Sequence, residues 1–246
     1  MPKLESQPFE SKLDTSSEQF DKNKTSMLSM LEEIDVLLDE AELGGGEHHK
    51  ERLAKRGKLP VRERVFHFLD PDSPFLEISG LAAYKSDYPV GGGAIAGIGV
   101  SAGIECIIFA NDPTVLAGAM HFYSVKKWMR AMQIARDSRL PFIQFVESAG
   151  GDLRPRSNAV VGGTTHFAES GRQFYEITEL SKLNIPTVTV TFGTATAGGA
   201  YQPGMSDYNI FVKDQADVAL AGPPLVQMAT GAVSYTHLTL PTNREV

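Results

Sequence analysis

Residues 142–152 read Phe-Ile-Gln-Phe-Val-Glu-Ser-Ala-Gly-Gly-Asp, an apolar run that leads into a turn of small residues. The apolar part, 142–146, predicts a buried strand. The small residues after it allow another group to approach the main chain closely, because glycine has no side chain. A second stretch repeats the arrangement: the β-branched run 186–192 predicts a strand, and Thr-Ala-Thr-Ala-Gly-Gly-Ala-Tyr follows it at 194–201. Two turns of this kind, each directly after a strand, indicate one shared cleft.

Strands and helices alternate around these two runs. A hairpin is predicted from the apolar runs 94–100 and 104–110, which a glycine-containing turn separates. The further elements expected are helices at 124–137, with Ser124 as its cap, and at 165–183, and strands at 75–78, 208–212 and 218–220. This order favours an α/β domain. In such domains ligands bind at the carboxyl ends of the strands, which is where both small-residue turns lie.

The N-terminal part of the chain is predicted to be helical. Residues 1–24 are polar and are expected to form a flexible arm. Apolar residues at helical spacing then predict a helix that the glycines at 44–46 end, followed by helices at 47–56 and 60–69. We interpret these helices as an N-terminal extension of one domain, 25–232, because the chain has no internal repeat.

The composition is that of an ordinary globular protein and excludes several classes of function. The formal net charge of −7 argues against a protein that wraps nucleic acid or coats an anionic membrane. No stretch is long and apolar enough to span a bilayer, and the polar N-terminus lacks the apolar core of a signal peptide. We therefore expect a cytoplasmic protein. The single cysteine, Cys106, lies in an apolar run, which predicts a buried thiol.

The turn at 147–152 is a candidate for chemistry. Outward-facing main-chain N–H groups at 149–151 would stabilise an oxyanion, such as the enolate of a thioester. The alternative is a tight turn that binds nothing, and the residues alone leave both open. Ser148 is not in a Gly-x-Ser-x-Gly nucleophile elbow, and the six histidines show no metal-ligand spacing. The turn therefore offers hydrogen-bond donors without an evident nucleophile, base or metal.

Basic residues cluster in the helical extension. The cluster consists of Lys50, Arg52, Lys55, Arg56 and Lys58, with Arg62 and Arg64 beyond. It would contact the phosphates of a ligand, and a solvated helix face is the alternative. Smaller basic groups, for which solvation is the simpler interpretation, are Lys126, Lys127 and Arg130 near the start of a helix, and Arg154 and Arg156 beside the turn at 147–152.

Several ordered motifs resemble those of one family. They include Arg56-Gly57-Lys58-Leu59, Ala110-Asn111-Asp112-Pro113-Thr114, Glu147-Ser148-Ala149-Gly150, Thr196-Ala197-Gly198-Gly199-Ala200-Tyr201 and Ala221-Gly222-Pro223-Pro224-Leu225-Val226. Together, over about residues 50–231, they resemble the N-terminal half of the carboxyltransferase (β) subunits of biotin-dependent acyl-CoA carboxylases. The Thr-Ala-Gly-Gly-Ala-Tyr turn is closer to the methylcrotonyl- and geranyl-CoA branch than to the propionyl-CoA branch.

The resemblance implies a crotonase-like (ClpP/crotonase) fold of repeated β-β-α units. It also implies a reaction in which carboxybiotin, carried on a partner protein, delivers carbon dioxide to the enolate of an acyl-CoA. Biotin itself would take the proton, which accounts for the missing side-chain base. The implied partners are a biotin carboxylase or biotin carboxyl carrier subunit and further copies of the chain, assembled as a hexamer. Nucleic acid, membrane and metal have no implied role.

The resemblance also assigns residues. The main-chain amides of Ala149, Gly150 and Gly151 would form the oxyanion hole. The residues implied in substrate binding are Ala197, Gly198, Gly199, Ala200 and Tyr201 for the acyl group, and Arg56 and Lys58 for coenzyme A.

The chain departs from the family pattern in three ways. Glu147 and Ala149 stand where the family has Asp and Gly. The family's second domain, which binds biotin, does not follow here. Residues 233–246 look unrelated to the family. We therefore expect a truncated or misread gene whose product is inactive alone.

Two other functions stay open. The first is a crotonase-type hydratase, isomerase or decarboxylase that acts alone on acyl-CoA, with Glu147 or Asp152 as its catalytic carboxylate. The second is a non-catalytic scaffold subunit that binds partners through the helical extension.

Overall fold

The computed structural model describes residues 11–152 and 167–231. Its helices are α1 (Glu18–Leu43), α2 (Glu47–Ala54), α3 (Val61–Phe68), α4 (Phe122–Ser138), α5 (Phe167–Lys182), α6 (Tyr201–Gly204) and α7 (Pro223–Thr230). Its strands are β1 (Leu76–Glu77), β2 (Ala94–Ser101), β3 (Ile104–Asn111), β4 (Phe142–Ser148), β5 (Thr187–Thr196), β6 (Tyr208–Phe211) and β7 (Asp217–Ala219). Every strand that the sequence predicts is present, and the short helices α6 and α7 are additional.

The strands form one mixed sheet. Their order is β1-β2-β3-β4-β5-β6, and β7 also pairs with β5. The first three strands are antiparallel neighbours, whereas β3, β4, β5 and β6 run parallel. This confirms the α/β class, and β2, β3 and α4 make one β-β-α unit. Because the parallel strands end at the same edge of the sheet, the segments that follow β3, β4 and β5 meet there.

Apolar side chains cover the sheet on both faces. On one face, α4 and α5 pack over a cluster that includes Phe109, Trp128 and Phe142. On the other face, α3 packs through Val61 onto a cluster that includes Phe145. Successive residues of a strand point to opposite faces. Side chains on the two faces of β4 therefore contact different layers of the protein: one face contacts the layer of α4 and α5, and the other contacts α3.

Two helices begin earlier than the apolar spacing predicts. α1 begins at Glu18, so the predicted flexible arm is wrong for residues 18–24. Ser17 caps this helix, because its hydroxyl accepts a hydrogen bond from the N–H of Phe20 at 3.2 Å. α4 begins at Phe122, because His121 is its N-cap and Ser124 closes the capping box. Apolar spacing predicted both helices but not these caps.

The helical extension contains the longest of the described helices. α1 has 26 residues and buries none of them. Several apolar side chains on it are exposed, namely Met27, Leu28, Met30, Leu31, Ile34, Val36, Leu38 and Leu43. Within the part of the chain that the structure describes, no helix combines the length and the apolar character that crossing a bilayer requires.

Cys106 is buried, as the sequence predicts. Burial and, to a smaller extent, the nearby charge of Asp70 raise the pKa of its thiol to about 11. The thiol is therefore protonated at neutral pH and acts as a small apolar group in the core.

Lys127 corrects the expectation that the basic residues near the start of α4 are solvated. Its side chain is 1% exposed, and its Nζ donates to the carbonyl oxygen of Gly91 at 3.3 Å and lies 3.7 Å from Glu77. Burial disfavours the charged amine and lowers its pKa to about 8, although the Glu77 carboxylate opposes this shift.

The lowered pKa of Lys127 predicts a pH dependence of stability. Between about pH 8 and about pH 10, the unfolded lysine holds its proton while the folded one loses it. The unfolded state then binds more protons, so the contribution of Lys127 to the free energy of unfolding rises with pH in this window. We expect wild type to gain stability relative to Lys127→Met as the pH is raised through the window, measured by urea unfolding. A difference between the two proteins that does not change with pH would contradict this.

Candidate functional site

The two small-residue turns lie side by side at one edge of the sheet. We call residues 147–152 the first turn and residues 194–201 the second turn. Ser148 is in register with Ala195 in the parallel pair of β4 and β5. A Cβ added to Gly150 would lie 3.0 Å from the carbonyl oxygen of Thr196, and one added to Gly199 would lie 2.9 Å from the Cβ of Ser148. The turns pack so closely that only small residues fit between them.

A third segment, the 115–120 loop after β3, is joined to the first turn by main-chain hydrogen bonds. Met120 donates its N–H to the Gly150 oxygen at 2.7 Å and accepts from the Asp152 N–H at 2.8 Å. The loop turns sharply, because Leu116, Ala117 and Gly118 all have left-handed φ angles. This loop was not predicted as part of the site. Its Leu-Ala-Gly-Ala sequence is a run of small and apolar residues like those of the other two turns, but residues 112–115 separate it from the end of β3, so it does not directly follow the strand.

The main-chain amides of the first turn differ in what they bind. The N–H of Ala149 donates to the carbonyl oxygen of Ala117 at 3.1 Å. The predicted oxyanion role is therefore wrong for Ala149, because its hydrogen already binds the 115–120 loop. The N–H of Gly150 donates to the Ser148 hydroxyl at 3.2 Å. The N–H of Gly151 makes no hydrogen bond within the described residues, so it is the donor of this turn that a ligand could use.

The second turn becomes helical at its end. Ala197 has a φ of +48°, and residues 197–200 form a 3-10 turn that continues into α6. The first N–H groups of a helical segment have no acceptor within it. Among the main-chain hydrogen bonds of the described residues, none is donated by Ala197, Gly198 or Gly199 to an acceptor outside the segment, so these N–H groups are candidate donors. A Cβ at Gly198 would lie 3.1 Å from the Met120 Cε, which places this end of the turn beside the 115–120 loop.

Tyr201, a predicted acyl-pocket residue, lies at the outer end of the second turn. Its ring is half exposed and lies 4.6 Å, centre to centre, from the ring of Phe174 in α5. It packs between the second turn and α5. Ala200 precedes it and is partly buried.

A buried polar network supports the second turn from below. Trp128 Nε1 donates to Gln144 Oε1 at 3.0 Å, and Gln144 Nε2 donates to the Thr189 hydroxyl at 3.2 Å. The Ser206 hydroxyl lies 2.6 Å from that of Thr189 and donates to the Gln202 carbonyl oxygen at 2.8 Å. The network joins α4, β4, β5 and α6. It therefore fixes the position of α6, and with it the second turn, on the sheet.

Lys58 and Arg56, the two residues predicted to contact coenzyme A, have different environments. Lys58 Nζ lies 2.5 Å from Glu147 Oε1, and Arg64 Nη1 lies 2.8 Å from Glu147 Oε2. These three side chains lie on the α3 face of the sheet, whereas Ser148 contacts the second turn on the other face. Lys58 is therefore occupied by an ion pair, while Arg56 is exposed. Arg154 and Arg156 lie outside the described residues.

The carboxylates proposed for an alternative catalytic role are both engaged. Glu147 is held by Lys58 and Arg64, as above. Asp152 is buried, and its Oδ2 accepts a hydrogen bond from the Tyr88 hydroxyl at 3.4 Å. The Tyr88 ring stacks on His121 with 3.9 Å between centroids. Among the residues that the structure describes, no group of three or more His, Cys, Asp or Glu side chains is arranged to hold a metal.

Comparisons with known proteins agree with the resemblance. A family model described as carboxyl transferase domain matches residues 52–243, a range that continues past residue 232, where the motifs predict that the domain ends. The chain is 45% identical, over 226 residues, to the probable biotin-dependent acyl-coenzyme A carboxylase beta2 subunit of Mycobacterium tuberculosis. It is 42% identical, over 224 residues, to the probable mitochondrial methylcrotonoyl-CoA carboxylase beta chain of Drosophila melanogaster.

A solved structure confirms the fold. The beta subunit of P. aeruginosa geranyl-CoA carboxylase superposes with a TM-score of 0.80 at 37% identity, over 94% of this chain and 42% of that one. The crotonase-like α/β fold and the likeness to the methylcrotonyl- and geranyl-CoA branch are both confirmed. The matches cover 92% and 90% of this chain but 41% and 38% of the two curated relatives. The chain thus spans about two fifths of the length of these relatives.

Proposed function

Since the chain belongs to the carboxyl transferase domain family, we propose that it forms the acyl-CoA side of a biotin-dependent acyl-CoA carboxylase. In this reaction a carboxyl group passes from carboxybiotin to the α-carbon of an acyl-CoA. The observation that supports the proposal most is the close packing of the first and second turns, which brings unpaired main-chain N–H groups to the carboxyl ends of β4 and β5.

The proposed oxyanion hole differs from the one that the sequence implies. Its donors are the N–H of Gly151 in the first turn and those of Gly198 and Gly199 in the second. Directed at the thioester oxygen, such donors stabilise the negative charge that develops as the α-carbon loses its proton. Gly150 contributes only if the substrate oxygen replaces the Ser148 hydroxyl as the acceptor of its N–H.

The main chain of the first and second turns binds and orients the thioester oxygen. Carboxybiotin, delivered by a partner, supplies the carbon dioxide and the base that takes the α-proton. A reaction of this kind needs no side-chain base from this chain. This is consistent with the carboxylates of the first turn, Glu147 and Asp152, being engaged in other contacts. Of the basic residues predicted to meet the phosphates of coenzyme A, Arg56 stays a candidate and Lys58 does not, because of its pairing with Glu147.

The substrate, partners and location are proposed from the family. The relatives that match are named as subunits of methylcrotonoyl- and other acyl-CoA carboxylases, which favours a branched or unsaturated acyl-CoA. We propose a biotin carboxylase or carrier subunit as the partner and a hexamer as the assembly. The cytoplasmic location predicted from the N-terminus stays a prediction.

The proposal predicts selective binding of acyl-CoA thioesters. We expect this chain to bind 3-methylcrotonyl-CoA more tightly than free coenzyme A by at least about tenfold, because the thioester oxygen adds a hydrogen-bonded contact worth about 1.4 kcal/mol. Isothermal titration of both ligands measures the ratio. Equal affinities would show that the cleft does not recognise the thioester, and absence of binding would favour the scaffold function.

The stand-alone hydratase is not favoured by the geometry. It needs a carboxylate that reaches the substrate, and Glu147 points to the other face of the sheet while Asp152 is buried against Tyr88. Hydration of an enoyl-CoA by this chain in the absence of biotin would support the hydratase function.

A further inference from the structure

We infer that Lys58, Arg64 and Glu147 form a positioning cluster that holds the first turn in the conformation needed for thioester polarisation. The inference rests on the proposed function. It assigns the two basic residues a role behind the cleft, on the opposite face of the sheet, in place of the phosphate contacts predicted from sequence.

The cluster is buried and its members are closely paired. The side chain of Arg64 is 4% exposed, and those of Lys58 and Glu147 are each 13% exposed. Each oxygen of the Glu147 carboxylate pairs with a different cation. Arg64 is further fixed by a hydrogen bond from its Nε to the Leu59 carbonyl oxygen at 2.8 Å and by stacking over the Phe192 ring at 4.7 Å. The carboxylate is therefore paired with two cations, one of which, Arg64, is itself fixed by further contacts.

Glycines hold Glu147 from two further sides. A Cβ added to Gly193 would lie 2.5 Å from Glu147 Oε1. A Cβ added to Gly118 would overlap the Glu147 carbonyl oxygen. The side chain thus packs directly on β5 and the main chain directly on the 115–120 loop, with no room for a larger residue at either contact.

The position of Glu147 in β4 links the positioning cluster to the conformation of the first turn. The pairing of β4 with β5 shifts register between Val146 and Ser148: Val146 pairs with Thr191 and Ser148 with Ala195, so Glu147 alone lies opposite three residues of β5, 192–194. A bulge bends the strand that carries it, and here Gly193 of that strand lies against the Glu147 carboxylate. Because Glu147 is pinned on the α3 face, the chain after it turns towards the second turn, where the amides of residues 149–151 lie.

Charge gives the cluster a second effect. It contains two cations and one carboxylate, and Arg64 Nη2 is buried without a hydrogen-bond partner among the described residues. The cluster therefore has a net positive charge directly behind the first turn. A positive charge in a buried environment favours a negative charge nearby more strongly than it would in water. The enolate oxygen is the group that would benefit.

The test uses the carbonyl stretching frequency of a bound acyl-CoA labelled with carbon-13 at the thioester, measured by infrared difference spectroscopy together with the dissociation constant. Polarisation by hydrogen-bond donors lowers this frequency. We expect Glu147→Gln to lose most of the downshift seen in wild type, because the loss of positioning outweighs the more positive charge that the variant gives the cluster, while the dissociation constant for free coenzyme A stays the same. Glu105→Gln, which neutralises an exposed carboxylate on β3, is the matched control and should keep the full downshift.

The outcomes separate this inference from the proposed function. If wild type binds no acyl-CoA, or binds it without a downshift, the proposed function fails whatever the variants do. If wild type shows the downshift and folded Glu147→Gln keeps all of it, the positioning cluster is wrong. Should Glu147→Gln not fold, Lys58→Met decides, since it removes one partner of the carboxylate. A partial loss of the downshift supports the inference and an unchanged frequency overturns it.

Discussion

Replacing Gly118 with alanine should destabilise the protein strongly, although the substitution adds only one methyl group. Gly118 has a left-handed φ of +67°, and an added Cβ would overlap the carbonyl oxygen of Glu147. The left-handed conformation costs an alanine about 1–2 kcal/mol, and overpacking against backbone adds about 1–3 kcal/mol. We expect a loss of about 3 kcal/mol or more in the free energy of unfolding, measured by urea denaturation.

Gly103 provides the matched control for this substitution. It has a φ of +73° in the turn between β2 and β3, and a Cβ there would meet nothing within 4 Å. Gly103→Ala therefore tests the backbone conformation alone and should cost only about 1–2 kcal/mol. Equal losses in the two variants would mean that the contact between the 115–120 loop and the first turn contributes nothing.

Replacing Gly151 with proline should remove most of the preference of the cleft for an enolate. Proline has no N–H, and Gly151 does not have a left-handed φ, so the ring fits its backbone better than at Gly150, where φ is +92°. Loss of one oxyanion donor costs about 10²–10³-fold in transition-state stabilisation. We expect a loss of about 10²-fold in affinity for a coenzyme A thioether with a nitronate group, which imitates the enolate.

Gly151→Ala is the control, because it adds a methyl group but keeps the N–H. Its affinity for the nitronate should stay close to that of wild type, while both variants should bind free coenzyme A alike. A proline variant that binds the nitronate as well as the alanine variant does would remove Gly151 from the oxyanion hole.

The parts of the fold that depend on local pattern could be predicted from the sequence. Apolar runs such as 104–110 and 142–146 are strands, as expected for short apolar runs that are bounded by turn residues. The segments 147–152 and 194–201 lie at the ends of their strands as expected, although β4 and β5 continue into them as far as Ser148 and Thr196. Both lie at the same edge of the sheet, since strands that run parallel end together.

The partners that individual polar groups contact could not be predicted from local pattern. The Ala149 amide is unavailable because it binds Ala117, whose loop the sequence places far from the first turn. Lys58 meets Glu147, which is 89 positions away along the chain. Arg56 and Lys58, in the segment between α2 and α3, look alike in sequence, and only the tertiary structure separates Lys58 in its ion pair from the exposed Arg56.

The starts of α1 and α4 and the burial of Lys127 were also not predicted. Ser17 and His121 act as caps before the apolar repeats begin, so spacing alone placed both helices too late. Lys127 was expected in solvent because charged residues seldom lie in a core. Its amine is accommodated by the Gly91 carbonyl oxygen and the Glu77 carboxylate, two partners that lie far from it along the chain.

The most direct test of the central claim is a crystal structure of this chain with a bound acyl-CoA thioester. The measured quantity is the distance from the thioester oxygen to the main-chain nitrogens of Gly151, Gly198 and Gly199. We predict that the oxygen lies about 2.7–3.1 Å from the Gly151 nitrogen and from at least one nitrogen of the second turn. A thioester oxygen that contacts neither turn, or one held by side chains instead of main-chain N–H groups, would contradict the account.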